Sequence, residues 1–310
     1  MSVNKPKVIF IVGPTASGKT GLAIALSRHL NGEIVSADSM QIYKGISVAS
    51  AAPTAQEKCL AVHHLVEFLE PQAKFSVADY VDLARKTIDD IISRGKLPIV
   101  VGGTGLYIDS LVNGIEFTDE KTSDEMRKKL ENEFDNLGGE EMLKRLSQID
   151  SIASSKLSPN DKKRIIRALE IYYSTGLTIT QQNERSRAKG KPYNEVVIGI
   201  TCFDREKLYD RINRRVDIMV ENGIIDEAKS MRNKGYTSAQ AIGHKEFYDY
   251  LDGKLSLGEA IEKLKRETRR YAKRQLTWFR KNENINWVYS DIQDAETTAL
   301  EILERMNRNV

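Results

Sequence analysis

The sequence predicts an α/β fold in which a parallel-sheet core, built around a phosphate-binding loop, carries a helical insertion domain. Three observations predict it. Short apolar runs alternate with segments of helical period from Lys7 to Val101, the order of a parallel sheet with right-handed crossovers. The first run ends in a glycine loop that matches G-x-x-x-x-G-K-[ST]. From Thr118 to about Asn194 the chain is charged, helix-forming and poor in strand signals. The expected division is a core of residues 1–117 and 195–310 and an insertion of residues 118–194.

Val8 to Val12 reads as a buried strand that delivers the backbone to Gly13. The small residues of Gly13, Pro14, Thr15, Ala16, Ser17 and Gly18 let successive N–H groups turn inward around phosphate oxygens. Lys19 can reach the outer phosphate as a point charge, and the Thr20 hydroxyl can ligate Mg²⁺. A helix from Gly21 to Leu30 points its positive end at the same anion. Glu33 to Asp38 is a short buried strand, and its carboxyl end should bring Asp38 out beside the loop. An irregular segment follows, through Pro53 and the His63–His64 pair. Phe75 to Arg94 has helical period, with Val77, Val81, Ala84, Ile88 and Ile91 on one side. Leu97 to Val101 is the next strand and runs into a second glycine turn at Gly102, Gly103 and Gly105. After the insertion come a strand from Glu195 to Thr201 and helices at 205–222, 225–234 and 256–281. A short strand from Ile285 to Tyr289 and a last helix complete the core.

With 40% hydrophobic and 29% charged residues, the 310-residue chain reads as globular, with ample core. No apolar run approaches the roughly 20 residues of a membrane span, and the N-terminus enters the first strand directly, so no membrane or signal segment is expected. Cys59 and Cys202 form no C-x-x-C pair, which argues against a disulfide framework or a zinc site and for a cytoplasmic location. A net charge of +3 says little about nucleic acid until its distribution is examined.

ATPases, GTPases and small-molecule kinases with such a loop keep an acid at the end of a sheet strand to hold Mg²⁺ and order water. The strand ending at Val101 runs into glycines and offers none. Asp38 is the acid that remains near the loop. Its local sequence suits a metal ligand, a general base or a turn-capping Asp.

At this point the residues carry a resemblance. The loop from Gly13 to Thr20, the run from Asp38 through Ser39, Met40 and Gln41 to Gly45, His63-His64-Leu65, and the turn from Gly102 to Tyr107 resemble successive signatures of the tRNA dimethylallyltransferases, the bacterial tRNA isopentenyltransferase family. So do Asn160 to Glu170 and Lys273 to Arg280, in the same order. The resemblance implies a P-loop NTPase-like core that moves a dimethylallyl group from its diphosphate to the exocyclic amine of the adenosine just 3′ of a tRNA anticodon. The loop would then hold a diphosphate leaving group with Mg²⁺, and no phosphoryl group would move. Asp38 would take the amine proton. Lys19, the loop donors and a hydroxyl bond from Thr104 would stabilise the departing diphosphate.

Arg211 and Arg215 lie four apart on a predicted helix face. They suit a clamp on the diphosphate or a solvated face paired with Asp210 or Asp217. Among residues 263–281 nine cations face the single acid Glu267 and interleave with Tyr271, Trp278 and Phe279, which favours phosphate tracking with base stacking. Trp278 also repeats at heptad spacing with Leu264 and Tyr271, so it suits the core as well. For tRNA contact the resemblance implies Asp38, Ser39, Met40, Gln41 and Thr104; Lys163, Arg164, Ile165, Ile166 and Arg167; and Gln240, Ala241, Ile242, Gly243, His244 and Lys245. It adds Lys273, Arg274, Gln275, Leu276, Thr277, Trp278, Phe279 and Arg280, with Arg127 in the insertion. The partner would be the anticodon stem-loop, its adenine flipped into the crevice of the loop, and the enzyme a monomer.

Where the family often has Gly-Thr-Ala-Lys-Pro, this chain has Ala49, Ser50, Ala51, Ala52 and Pro53, and it lacks that lysine. Adjacent side chains of an extended His63–His64 point to opposite sides, so hydrogen bonding is expected there and not a metal pair. The alternatives are a small-molecule kinase with a helical lid, which requires ATP, and an RNA-binding NTPase switch, which makes no covalent product. Both want the acid that is missing after Val101.

Overall fold

The computed structural model describes residues 5–117, 124–188 and 190–308. By their contacts the residues form two compact units, Met1–Val112 with Pro192–Val310, and Asn113–Lys191. The boundary expected at Thr118 lies outside the described residues.

In the first unit β1 (Lys7–Val12) is followed by α1 (Lys19–His29), β2 (Gly32–Ser36), the short α2 (Ser47–Ser50) and α3 (Ala55–Leu60). Then come β3 (His63–His64), α4 (Val77–Ser93), β4 (Leu97–Gly102) and α5 (Gly105–Val112). The second unit is helical: α6 (Asp124–Ile149), α7 (Ser151–Ser154), α8 (Lys162–Thr175) and α9 (Ile179–Ser186). The chain returns to the first unit as β5 (Asn194–Thr201), α10 (Arg205–Glu221), α11 (Ile224–Met231), a 3₁₀ turn at Ser238–Gln240, α12 (Lys245–Leu251), α13 (Leu257–Phe279), β6 (Asn286–Tyr289) and α14 (Ala295–Arg308).

Among the described residues six strands run parallel in the order β3-β2-β4-β1-β5-β6. The central strands are buried on both faces, which is why they read as unbroken apolar runs. Val8, Phe10 and Val12 pack with α4 and α5 on one face, and Ile9 and Ile11 pack with α1 and α14 on the other. The strand β3 is missing from the sequence reading because two histidines carry no strand signal; its pairing with Ile34 and Val35 defines it. The predicted α/β parallel sheet is otherwise as expected.

The second unit closes on Leu130, Met142, Leu146, Ile165 and Leu169. Its long α6 is interrupted at Gly138, whose φ of 81° lies outside the helical region. Among the described residues no helix is long and apolar enough to cross a membrane.

Candidate functional site

Consecutive parallel strands open their carboxyl ends toward one side of the sheet, and there a cleft of about 1400 Å³ lies within the first unit. Its walls come from the loop after β1, the segment after β2, α2 and α3, and the inward faces of α10 and α13. The loop follows from local sequence. Gly13 has φ 149°, and a Cβ there would lie 2.2 Å from the Ile200 carbonyl oxygen, so only glycine lets β1 turn beside β5. Ala16 at φ 63° and Gly18 at φ 100° bend the next residues into an anion-sized nest at the start of α1. Ser17 Oγ is buried there without a hydrogen-bond partner.

Lys19 folds back so that Nζ donates to the Pro14 carbonyl at 2.6 Å. Desolvation and the Arg215 charge push its pKa down to about 7, against a smaller opposing pull from Asp38. Burial lowers Arg215 too, again offset in part by Asp38. Among the described residues neither cation has a carboxylate at salt-bridge distance. The pairing of Arg215 with Asp217 that the helix face suggested is absent: Asp217 accepts from Lys265 at 2.9 Å. Arg211 donates to Ser290 Oγ at 2.8 Å, so the loop after β6 fixes it toward the cleft.

Asp38 faces these cations. Its Oδ1 accepts from Met40 N–H at 2.9 Å, so the turn-capping role is real. One oxygen is enough for the cap, and the side chain still lines the cleft. Beneath it Tyr80 and Tyr107 stack 3.8 Å apart, with the Tyr80 hydroxyl donating to Ser36 O. Tyr271 on α13 lines the cleft opposite; desolvation first, then Asp38, raises its phenol. Thr104 does not reach the cleft in this structure: its Oγ1 accepts from Ser39 N–H at 3.0 Å.

The other expected contacts divide sharply. Met40, Gln41, Gln240, Ala241 and Ile242 line the cleft. Lys163, Arg164, Lys245, Lys273, Arg274, Thr277 and Arg280 present exposed side chains. Ile165, Ile166 and Phe279 do not; they are core residues, so their side chains hold a helix in place and cannot touch RNA from where they stand. Trp278 packs on the core with Nε1 donating to Asp109 at 2.7 Å, which settles its geometry as packing. Gln275 is 6% exposed and turned inward. Arg127 and Arg167 both bond the buried Glu170, at 3.0 and 2.9 Å. His244 is fully buried against Glu227 at 2.8 Å, and Gly243 is buried beside it.

The basic run on α13 is less one-sided than its sequence. Neighbouring elements bring Asp249 to Lys263 and Asp217 to Lys265, while Arg270 pairs with Glu267. Among the described residues Arg266, Arg269, Lys273, Arg274, Arg280 and Lys281, concentrated at the carboxyl end, form no ion pair. Arg269 donates instead to Asn213.

Sequence reasoning missed Glu227. Its carboxylate accepts from Val48 and Ala49 N–H, both at 2.9 Å, and so clamps the lysine-free segment to α11 and His244. No local motif marks it. The two histidines do hydrogen-bond as expected, His63 to Ala61 O and His64 to Glu33.

A parallel sheet with an anion nest at the end of β1 defines a P-loop α/β protein. The family profile for IPP transferase matches residues 41–282, and that for isopentenyl transferase matches residues 6–66. The tRNA dimethylallyltransferase of Acetivibrio thermocellus is 49% identical over 301 residues, covering 96% of each chain. That of Bacillus subtilis is 45% identical over 290 residues, covering 93% of this chain and 92% of the relative. The crystal structure of the full-length tRNA isopentenylpyrophosphate transferase from Bacillus halodurans superposes with a TM-score of 0.70 at 45% identity, covering 98% and 95% of the two chains. A eukaryotic dimethylallyltransferase acting on tRNA gives a TM-score of 0.76 at 31% identity over 88% of this chain and 70% of its own. The chain belongs to the IPP transferase family.

Proposed function

We propose that this protein transfers a dimethylallyl group from dimethylallyl diphosphate to the exocyclic amine of the adenosine 3′-adjacent to the anticodon in tRNA, releasing diphosphate. The observation that carries the chemistry is one cleft holding an anion nest, two unpaired cations and a facing carboxylate, with no acid at the end of β4. Phosphoryl transfer wants that acid. Alkyl transfer does not.

The amine nitrogen attacks the allylic carbon of the donor as the carbon–oxygen bond breaks. The electron pair of that bond leaves on the diphosphate, and the amine proton passes to Asp38. An aromatic amine is a poor nucleophile, so a base in reach during N–C bond formation matters more than one acting afterwards. Lys19, Arg215, Arg211 and the loop N–H groups meet the charge that grows on the leaving group. Thr104 joins them once its hydroxyl turns from Ser39. Gln41, Met40 and the segment from Gln240 to Ile242 line the room that a flipped adenine needs.

Hard oxygen donors suit Mg²⁺, and the Thr20 hydroxyl supplies one beside the orphaned Ser17 hydroxyl. Among the described residues no cluster of three His, Cys, Asp or Glu side chains forms a cage, so the ion would share its coordination with phosphate oxygens. When bound it would help neutralise the diphosphate. The reading takes the protein to be a cytoplasmic monomer whose exposed cations at Lys273, Arg274 and Arg280, with Lys163 and Arg164 in the second unit, meet the tRNA backbone.

Incubation with unmodified tRNA, Mg²⁺ and dimethylallyl diphosphate, followed by nucleoside mass analysis, should yield isopentenyl adenosine without ATP. No such nucleoside, with ATP hydrolysis in its place, would sink the reading.

A further inference from the structure

Gln275 sits on the inward face of α13, between Arg274 and Leu276, where it is 6% exposed at the wall of the cleft and its amide is turned away from the basic surface. Its Oε1 accepts from Thr15 N–H at 2.9 Å, and its Nε2 donates to Gly103 O at 3.0 Å. Thr15 belongs to the loop after β1, and Gly103 to the turn after β4, the adjacent strand. Both halves of one side-chain amide are thus spent on two backbone groups that the sheet itself leaves unpaired at its carboxyl edge. A Cβ on Gly103 would fall 2.1 Å from Nε2, so the turn is shaped to admit this amide.

These two loops carry the two sides of the reaction. Thr15 leads directly into the nest and Lys19. Gly103 precedes Thr104, whose hydroxyl accepts from Ser39 N–H, next to Asp38. The amide therefore sets the spacing between the part that receives the leaving group and the part that bears the base. We propose that Gln275 is a positioning residue for the transfer step: it fixes the diphosphate loop against the Asp38–Thr104 side and makes no contact with RNA. This rests on the dimethylallyl-transfer reading. It reassigns a residue that its place in a basic motif would give to tRNA.

An in-line displacement tolerates little misalignment; a shift of about 1 Å can cost on the order of a hundredfold in rate. Gln275→Met keeps the volume and removes both hydrogen bonds. Gln275→Glu keeps the acceptor for Thr15 and, when ionised, turns the donor to Gly103 O into a repulsion. A protonated Glu regains that donor.

The test is single-turnover chemistry on folded, active-site-titrated enzyme, with Kd for tRNA and for dimethylallyl diphosphate measured separately. Gln275→Met should lower the chemical rate roughly 10- to 100-fold while both dissociation constants stay within about threefold of wild type. The rate of Gln275→Glu relative to wild type should rise as the pH falls from 8.5 to 6. A tRNA affinity that drops with a smaller salt slope would show that Gln275 touches RNA and overturn the proposal. So would an unchanged chemical rate, or a Gln275→Glu ratio that is flat with pH. Wild-type enzyme that makes no isopentenyl adenosine would fail the broader reading instead, and the wild-type reaction run alongside distinguishes the two.

Discussion

Glu33 and Asp38 stand five residues apart, one inside β2 and one just past its end, and they meet cations in different ways. At the amino end of the strand, Glu33 is 2% exposed and accepts from both Arg94 Nη atoms, from Lys96 and from His64, all at 2.6–2.7 Å. Each lone pair has a partner, and nothing is left for a ligand. At the carboxyl end, Asp38 faces Lys19 and Arg215 across a cleft without an ion pair to either, and both cations are lowered by desolvation. Holding charges apart in a poorly solvated cleft costs free energy that pairing would recover. On the proposed function, an incoming diphosphate would recover it. Saturated charge here marks architecture, and unsaturated charge marks the candidate site.

The sharpest way to break this contrast is Asp38→Asn. The amide keeps an oxygen for the Met40 N–H cap, so the turn should survive, but it cannot take the amine proton. The turnover rate should fall by about 10²- to 10⁴-fold while tRNA Kd changes less than about twofold. Near-normal turnover would return Asp38 to a capping role alone.

Glu33→Gln tests the other end. It should leave the turnover rate of folded enzyme unchanged and cost stability of about 2 kcal/mol, read as a shift in denaturant midpoint. The figure stays modest because Arg94 and Lys96 are 39% and 34% exposed and keep some hydration. Its pH signature has a definite sign. Hydrogen bonds from Arg94 first, then Lys96 and His64, hold the Glu33 carboxyl below its ordinary value of 4.5. The stabilisation is therefore complete above about pH 4.5 and is lost as the pH falls below it. A wild-type minus variant difference that grows on acidification would contradict this.

The same rule orders the cations of α13. Among the described residues Lys273 and Arg274 carry no ion pair, whereas Lys265 is matched by Asp217 and Glu262. Replacing Lys273 and Arg274 together by Gln should weaken tRNA binding and reduce its salt slope by about 2. Replacing Lys265 by Gln should leave the slope within the error of the measurement. Equal slopes for the two variants would return the helix to a solvated basic face.

Much of this was legible in the sequence, for identifiable reasons. Strands buried on both faces write themselves as apolar runs, and the nest needs small residues at fixed spacing, so β1, β2, β4 and the loop could be placed by inspection. Asp38 was legible because it follows a parallel strand. Pairing across the fold was not. Nothing near Glu227 announces that it holds Val48, Ala49 and His244, because its partners lie far away in the chain. A motif also lists residues without saying which way they face. Lys273 and Arg274 look out, while Gln275, Trp278 and Phe279 look in, and only the rotation of α13 against the sheet decides it.

The smallest effect follows from Lys19. Its pKa of about 7 in the free cleft arises because burial and Arg215 outweigh Asp38. A diphosphate beside Nζ supplies the opposite charge and raises that value. Below pH 7 the amine is already protonated and binding exchanges no proton through it. Between about pH 7 and its ordinary value of 10.5, binding must draw a proton from solvent. Calorimetry of diphosphate binding in buffers of different ionisation enthalpy should therefore report, at pH 8.5, an uptake that exceeds that of Lys19→Met by close to one proton. The ligand's own protons cancel in the comparison, and the difference should fall toward zero at pH 6. Lys19→Met should also bind more weakly. If the variant takes up as many protons as wild type at pH 8.5, the proton belongs to another group, and Lys19 enters the free cleft already charged.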